Sequence, residues 1–115
     1  MNLKDSNVTI MVKDMDKSVA FYQAIGFNLK ERWKNYYAQL IGPGVVIGLH
    51  PTEHHTQRGS GNVSIGLSVE NIDEAKKMLE NLSIEVTTRE EEGGQFVHFA
   101  DPDGTELYFI KPKWG

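Results

Sequence analysis

Histidine side chains are the first candidates for chemistry in this sequence, because imidazole acts as an acid, a base or a metal ligand near neutral pH. Three of the four, His50, His54 and His55, lie close together with Glu53 among them. Spacings of four and one occur in metal sites, but residues 51–61 show no helical pattern that would bring positions 50 and 54 onto one face. We interpret His54 and His55 as solvated histidines of a connecting loop and His50 as a histidine at a strand end. A loop-bound metal ion is the alternative that the sequence leaves open.

The fourth histidine, His98, lies in a segment of different character. Residues 96–110 place aromatic and branched side chains on both sides of Asp101-Pro102-Asp103-Gly104. This tetrapeptide fits a type I turn, because the first Asp can bond its own backbone, Pro presets φ at the second position, and Gly tolerates positive φ at the fourth. The segment therefore predicts a β-hairpin with His98 in its first strand.

Side chains along this hairpin alternate between two faces with period two. The purely apolar face comprises Val97, Phe99, Leu107 and Phe109. The mixed face comprises Phe96, His98, Tyr108 and Ile110. We expect the apolar face to pack on a helix and the mixed face to line a binding cavity, with His98 and Tyr108 as its polar contacts.

The first half of the chain predicts the element order βαβββ. Apolar positions predict a short amphipathic helix near 15–25, with Asp14 as its N-cap and Gly26 as its stop. Alternating or branched runs predict the strands, which are 7–12, 27–33, 36–41 and 45–50.

The second half repeats this order. Asn62-Val63-Ser64-Ile65 echoes Asn7-Val8-Thr9-Ile10 at an offset of 55, and a helix is predicted near 71–82. A strand at 84–88, a charged bend at 90–94 and the hairpin follow. Aligning Gly44 with Gly104 pairs Gly48 with Tyr108. We therefore expect one domain, 1–115, with modules at about 7–50 and 62–111 and a connector at 51–61.

Composition excludes several classes of protein. The net charge of −4 argues against nucleic acid as a partner and mildly favours cationic or neutral ligands. No apolar run approaches the ~20 residues of a membrane span, and the first residues lack a secretory signal, so we expect a cytoplasmic protein with no membrane partner. The chain has no cysteine, which excludes disulfides and thiolate chemistry.

At this point the sequence resembles the vicinal oxygen chelate superfamily, which includes glyoxalase I, bleomycin-resistance proteins, fosfomycin-resistance enzymes and extradiol dioxygenases. The resemblance is carried by residues 12–22, by Gly26-Phe27 and by Asp101-Pro102-Asp103-Gly104. It implies an α+β fold in which two βαβββ modules form an open eight-stranded barrel-like mixed sheet, with helices outside and a ligand cavity inside. It also implies a homodimer.

The resemblance places the metal-ligand positions of the superfamily at Asn7, Gly48, Asn62 and Tyr108. None of these is a good ligand for a divalent metal, since the amides are neutral, glycine has no side chain, and a phenol must lose its proton to bind well. Glu106 lies in the same strand as Tyr108, but beside the turn. We therefore predict neither a metal nor any other cofactor.

Aromatic residues supply the remaining candidates for the site, although some of them must serve core packing instead. We predict no catalytic residue. The predicted ligand-binding residues are His98, Tyr108, Trp33, Asn7, Asn62, Phe96 and Tyr37.

Two functions from different classes follow. The first is a metal-free binding protein, similar to bleomycin-resistance proteins, that holds an aromatic or cationic small molecule. The alternative is a metal-dependent lyase, isomerase or thiol transferase of the glyoxalase I or fosfomycin-resistance type. A metal-free catalyst with His98 as base and Tyr108 as acid ranks third.

Overall fold

A computed structural model of the protein describes residues 1–53 and 63–113. The chain divides into two compact units, Met1–Thr56 and Gln57–Gly115. Each unit has the predicted element order βαβββ and contains one four-stranded mixed sheet. The predicted α+β class is therefore confirmed.

The first unit consists of one helix and four strands, which are β1 (Val8–Val12), α1 (Met15–Ala24), β2 (Asn28–Trp33), β3 (Tyr37–Gly42) and β4 (Val45–Pro51). The strand order is β1-β4-β3-β2, with β1 and β4 parallel and the other neighbours antiparallel. α1 contacts β2, β3 and β4 and covers one face of the sheet. Apolar side chains from α1 and the sheet form this core, including Val12, Tyr22, Leu40, Ile47 and Leu49.

Helix α1 begins and ends where the sequence predicts. The Asp14 side chain accepts a hydrogen bond from the Lys17 backbone N–H, and Gly26 adopts a φ of 120° just beyond the last turn. Few residues other than glycine adopt that conformation without strain. The chain can therefore reverse into β2 directly after the helix.

The second unit comprises β5 (Ile65–Ser68), α2 (Ile72–Asn81), β6 (Thr87–Glu91), β7 (Gly94–Ala100) and β8 (Glu106–Pro112). The strand order is β5-β8-β7-β6, and only β5 and β8 are parallel among its neighbouring strands within residues 63–113. α2 contacts β7 and β8. Its N-cap, Asn71, accepts a hydrogen bond from the Glu74 backbone N–H.

Two sequence-based boundaries in the second unit are wrong. The strand predicted at 84–88 begins at Thr87 and continues to Glu91, so only Glu92 and Gly93 form the turn before β7. Ile84 instead continues from the end of α2, where its backbone N–H bonds the Leu79 carbonyl. Ile84 and Val86, whose apolar alternation suggested a strand, both lie before the start of β6.

The internal repeat also has a different register from the predicted one. Val8 lies beside Ile47 in β4, and Ile65 lies beside Leu107 in β8. Since the alignment of Ile47 with Leu107 follows from that of Gly44 with Gly104, Val8 corresponds to Ile65. The N-caps Asp14 and Asn71 show the same offset of 57 residues. The predicted offset of 55 rested on a similar tetrapeptide and is wrong by two residues.

Gly44 and Gly104 are equivalent turn residues, as predicted. They have φ angles of 75° and 91°. The strands that follow them occupy the same place in their sheets, so Gly48 and Tyr108 are equivalent positions. Within residues 1–53 and 63–113, no helix is long and apolar enough to cross a membrane.

Candidate functional site

Each sheet has a far face, meaning the face turned away from the helix of its own unit. On the hairpin β7–β8, side chains on the helix side are buried and those on the far face are half-buried. His98 pairs directly with Tyr108, and Phe96 pairs with Ile110. The predicted division of the hairpin into an apolar face and a mixed face is confirmed.

Three rings form a cluster on the far face of the second sheet. The ring centroids of His98 and Tyr108 are 5.6 Å apart, and Phe96 lies 6.0 Å from His98 and 5.9 Å from Tyr108. The imidazole is stacked on the Phe96 ring at an interplanar angle of 18°. Of the predicted site residues, His98, Tyr108 and Phe96 are thus brought together.

The turn between β7 and β8 fixes the register of this cluster. The buried Asp101 carboxylate accepts hydrogen bonds from the backbone N–H groups of Asp103 and Thr105, both at 2.9 Å. The Gly104 backbone N–H closes the turn on the Asp101 carbonyl at 3.0 Å. A slip of one residue would move His98 and Tyr108 to the helix side, so this turn determines which face they occupy.

A cavity of about 220 Å³ adjoins His98 at one end of the sheet. Its polar lining includes Glu85, Thr87 and Glu106. The lining thus combines two carboxyl groups with the His98 imidazole and the Phe99 ring. Glu106, which the sequence places beside the turn, is the first residue of β8 and is exposed.

Tyr108 also covers Gly66 of the neighbouring strand β5. The two residues pair directly, and a Cβ atom added to Gly66 would lie 2.4 Å from the Tyr108 Cζ and hydroxyl oxygen. The absence of a side chain at position 66 is therefore what allows the phenol to lie across β5.

The first unit has a comparable arrangement with the glycine in the middle of the sheet. Gly48 of β4 lies between Gln39 of β3 and Thr9 of β1. The Tyr37 hydroxyl fills the space above Gly48, 2.6 Å from the position that a Cβ atom would take. The Asn7 Nδ2 atom lies 3.1 Å from the same point. The structure thus brings together Asn7 and Tyr37, which are both predicted site residues.

Hydrogen bonds order this polar cluster of the first unit. The Gln39 amide Nε2 donates to the Tyr37 hydroxyl at 3.0 Å, and the Asn7 Nδ2 donates to the Thr9 Oγ1 at 3.0 Å. The structural repeat makes Gln39 the equivalent of His98, because each pairs with the equivalent positions Gly48 and Tyr108. Gln39 was not among the predicted site residues, and no motif in the sequence points to it directly.

Trp33 lies at the end of β2 directly opposite Tyr37, with 74% of its side chain exposed. The turn that follows places Lys34 at a φ of 49° and closes with a hydrogen bond from the Tyr36 N–H to the Trp33 carbonyl. Arg32 ties the turn down by donating to the Lys34 carbonyl and to the side chains of Asp16 and Asn35. Arg32, the residue before Trp33, therefore connects this end of β2 to α1.

Among the metal-ligand positions that the superfamily resemblance gives, Gly48 and Tyr108 do not fit a divalent metal ion. Gly48 offers no side chain, and the Tyr37 hydroxyl occupies the space into which one would project. Tyr108 rests its phenol on Gly66. Asn62 lies outside the described residues, and the corrected register makes Ser64, not Asn62, the equivalent of Asn7.

The histidine loop is described only at its start. His50 is exposed, and its Nδ1 lies 2.9 Å from the Pro51 carbonyl oxygen. His54 and His55 lie outside the described residues. Across 1–53 and 63–113, no group of three or more His, Asp or Glu side chains is arranged to hold a metal ion.

Comparison with known families identifies the superfamily. The model of the Glyoxalase/Bleomycin resistance protein/Dioxygenase superfamily matches residues 6–109, and the chain therefore belongs to that superfamily. A stretch of 74 residues is 32% identical to an uncharacterized protein of Mycolicibacterium smegmatis. That match covers 64% of this chain and 61% of the relative, which is less than two thirds of the relative's length.

Solved structures share the fold at low sequence identity. The fosfomycin resistance protein FosX of Listeria monocytogenes is 20% identical, with a TM-score of 0.82 and coverage of 99% of this chain and 95% of that chain. Lactoylglutathione lyase of Agrobacterium tumefaciens is 16% identical, with a TM-score of 0.75 and coverage of 94% and 92%. These likenesses establish the fold alone, because superfamily members with one scaffold differ in chemistry.

Proposed function

We propose that this chain is a metal-free small-molecule-binding protein of the glyoxalase/bleomycin-resistance type, and that its ligand is an aromatic cation held on the far face of the second sheet. The observation that carries the proposal is the cluster of Phe96, His98 and Tyr108, of which His98 also lines a cavity together with Glu85 and Glu106. We assign no catalytic role to these residues.

The ring cluster supports an aromatic ligand. Half-buried rings offer apolar area to a flat molecule, while the imidazole and the phenol provide polar contacts that fix its orientation. An aromatic face also attracts a cation, at about 0.5–2 kcal/mol according to how far the cation is desolvated. The three rings therefore suit a ligand that is both flat and positively charged.

The charges around the cavity support the same ligand. Glu85 and Glu106 line it together with His98. The net charge of the chain is −4, so the wider field also favours cations over anions. An anionic ligand would be repelled both by the carboxylates of the cavity and by the net negative charge of the chain.

The alternative is metal-dependent chemistry of the glyoxalase I or fosfomycin-resistance type. One FosX structure is a complex with Mn(II) and 1S,2S-dihydroxypropylphosphonic acid. The superfamily resemblance puts Gly48 and Tyr108 at two of its metal-ligand positions, and neither residue is a good ligand for a divalent metal, which supports the metal-free proposal. Because bleomycin-resistance and fosfomycin-resistance proteins share this fold, we extend the proposal to antibiotic sequestration by a cytoplasmic homodimer with a single domain in each chain.

Calorimetric titration with three probes of similar shape tests the proposal. Benzamidine is cationic, benzamide is neutral and benzoate is anionic. We expect benzamidine to bind, and we expect His98→Ala and Tyr108→Phe each to weaken it by about 1–3 kcal/mol where a ligand group loses its hydrogen-bond partner. Thermal stability should change little in both variants.

His50→Ala is the matched control, since this exposed histidine lies in the first unit. It should leave the affinity for benzamidine unchanged. If His98→Ala and Tyr108→Phe kept wild-type affinity but lost thermal stability, the two residues would belong to the core and the proposal would be wrong.

A further inference from the structure

The polar cluster of the first unit differs in its side-chain chemistry from the ring cluster of the second unit. It consists of Asn7, Thr9, Tyr37 and Gln39 around Gly48. We propose that this cluster is a second binding site, in which the Tyr37 hydroxyl donates a hydrogen bond to the carbonyl oxygen of a neutral carboxamide. The proposal deepens the proposed function, on which it rests for the premise that the protein binds small organic molecules, but all of its contacts lie within the first unit.

The hydrogen bond from Gln39 determines what the Tyr37 hydroxyl can do. The Gln39 Nε2 donates to the Tyr37 oxygen at 3.0 Å. A phenol that accepts this bond keeps its own hydrogen for another acceptor. The Tyr37 O–H is therefore a donor whose orientation is set by Gln39.

Gly48 provides the space that the Tyr37 phenol occupies. The Tyr37 hydroxyl lies 2.6 Å from the position of a Cβ atom on residue 48, so the phenol lies against bare backbone in the middle of the sheet. A glycine inside a strand often marks the close approach of another group. Here that group is the Tyr37 hydroxyl. It occupies the space into which, by the superfamily resemblance, a metal ligand at position 48 would project, so a hydrogen-bond donor replaces a metal ligand there.

The neighbouring groups select a neutral acceptor. The amides of Asn7 and Gln39 each have a second N–H beyond the one used within the cluster. Glu31 pairs directly with Gln39 and lies on the same face. Its carboxylate disfavours an anionic acceptor and suits the N–H groups of a primary amide. Trp33, opposite Tyr37, offers an indole against which an aromatic ring can stack.

The test is a titration monitored by nuclear magnetic resonance. Benzamide is the probe, and benzoate is its anionic counterpart. The reporters are the side-chain amide of Gln39 and the indole N–H of Trp33, and signals of His98 and Tyr108 report on the second unit. We expect benzamide to shift the reporters of the first unit. Benzoate should bind about tenfold more weakly there, and benzamidine should act on the second unit.

Two variants separate the proposed contact from a structural role. Tyr37→Phe should weaken benzamide binding about tenfold, because it removes the donor and keeps the ring. Gln39→Glu should have a similar effect, because a carboxylate accepts the Tyr37 hydrogen and withdraws it from the ligand. Tyr36→Phe is the matched control, since Tyr36 is 73% exposed in the adjacent turn, and it should bind benzamide as the wild type does.

The outcomes distinguish this proposal from the one on which it rests. Unchanged shifts at Gln39 and Trp33 in wild-type protein with millimolar benzamide would overturn the second site, even if benzamidine still moved His98. Equal benzamide affinity in wild type and Tyr37→Phe would also overturn it. Failure of the proposed function would appear instead as no effect of benzamidine on His98 and Tyr108.

Discussion

The hydroxyl of Tyr37 lies 2.6 Å from the point where a side chain on Gly48 would begin. The phenol is held there by a hydrogen bond from Gln39, on the strand beside Gly48. In the first sheet, the Tyr37 hydroxyl thus fills the space into which the superfamily resemblance would have a metal ligand at position 48 project. The contact between Tyr37 and Gly48 therefore bears both on the metal-free proposal and on the proposed binding site of the first unit.

Gly48→Ala should destabilise the protein by about 1–3 kcal/mol, because the new methyl group displaces a phenol that is already hydrogen-bonded. Urea unfolding measures the change. In a Tyr37→Ala background the same substitution should cost much less, since the obstruction is gone. Equal costs in both backgrounds would show that Tyr37 does not occupy the space above Gly48.

Gly66→Ala should impair the proposed site at the ring cluster of the second unit, although it changes none of the polar groups there. A Cβ atom at position 66 would lie 2.4 Å from the Tyr108 phenol and would push it off β5. We expect the affinity for benzamidine to fall as far as it does in Tyr108→Phe, and calorimetry measures this. Ser68→Ala, on the same strand and face, is the control and should bind normally. Wild-type affinity in Gly66→Ala would separate Tyr108 from the site.

Asp101→Ala should destabilise the second unit by roughly 2–4 kcal/mol, because it leaves two backbone N–H groups without their buried acceptor. Asp101→Asn should cost less, since its amide oxygen still accepts. Thermal unfolding of both variants gives the comparison. If the two substitutions had equal effects, the carboxylate hydrogen bonds would not be what stabilises the hairpin turn.

Local chemistry explains why much of the fold could be predicted from sequence. Asp14, Gly26 and Gly104 act within a few residues of themselves, and they specify the first helix and the last hairpin. The register of β5 depends instead on pairing with β8, about forty residues away, so a similar tetrapeptide suggested the wrong offset. The edge strand β6 is exposed throughout and therefore carried no burial pattern.

The candidate site was predictable only in part, because some of its contacts depend on which strands pair and not on local sequence. Alternation along one hairpin placed His98 and Tyr108 on one face. The contact between Tyr37 and Gly48 depends on which strands are neighbours, and it was not predicted. Its available signal was a glycine within a strand, at Gly48 and again at Gly66.

Divalent ions should leave the thermal stability of the protein unchanged. Binding at a hundredfold excess over the dissociation constant would stabilise a site by about 2.7 kcal/mol, which a thermal-shift assay detects. A zinc or manganese shift that is lost in Tyr108→Phe would contradict the metal-free proposal. A shift that is lost in His50→Ala would assign the ion to the histidine loop.

The protein should be a homodimer, as the superfamily resemblance implies. Light scattering at micromolar concentration should give twice the 13.0 kDa mass of one chain. A monomer mass at that concentration would remove the dimer from the proposed function and would leave both proposed sites standing, since each lies within one unit.

Native mass spectrometry of the protein as purified, together with elemental metal determination, tests the central claim most directly. We predict a retained or readily exchanged organic molecule that benzamidine displaces, with far less than one equivalent of zinc, nickel, iron or manganese. One equivalent of metal per chain, lost in Tyr108→Phe or Asn7→Ala, would contradict the account.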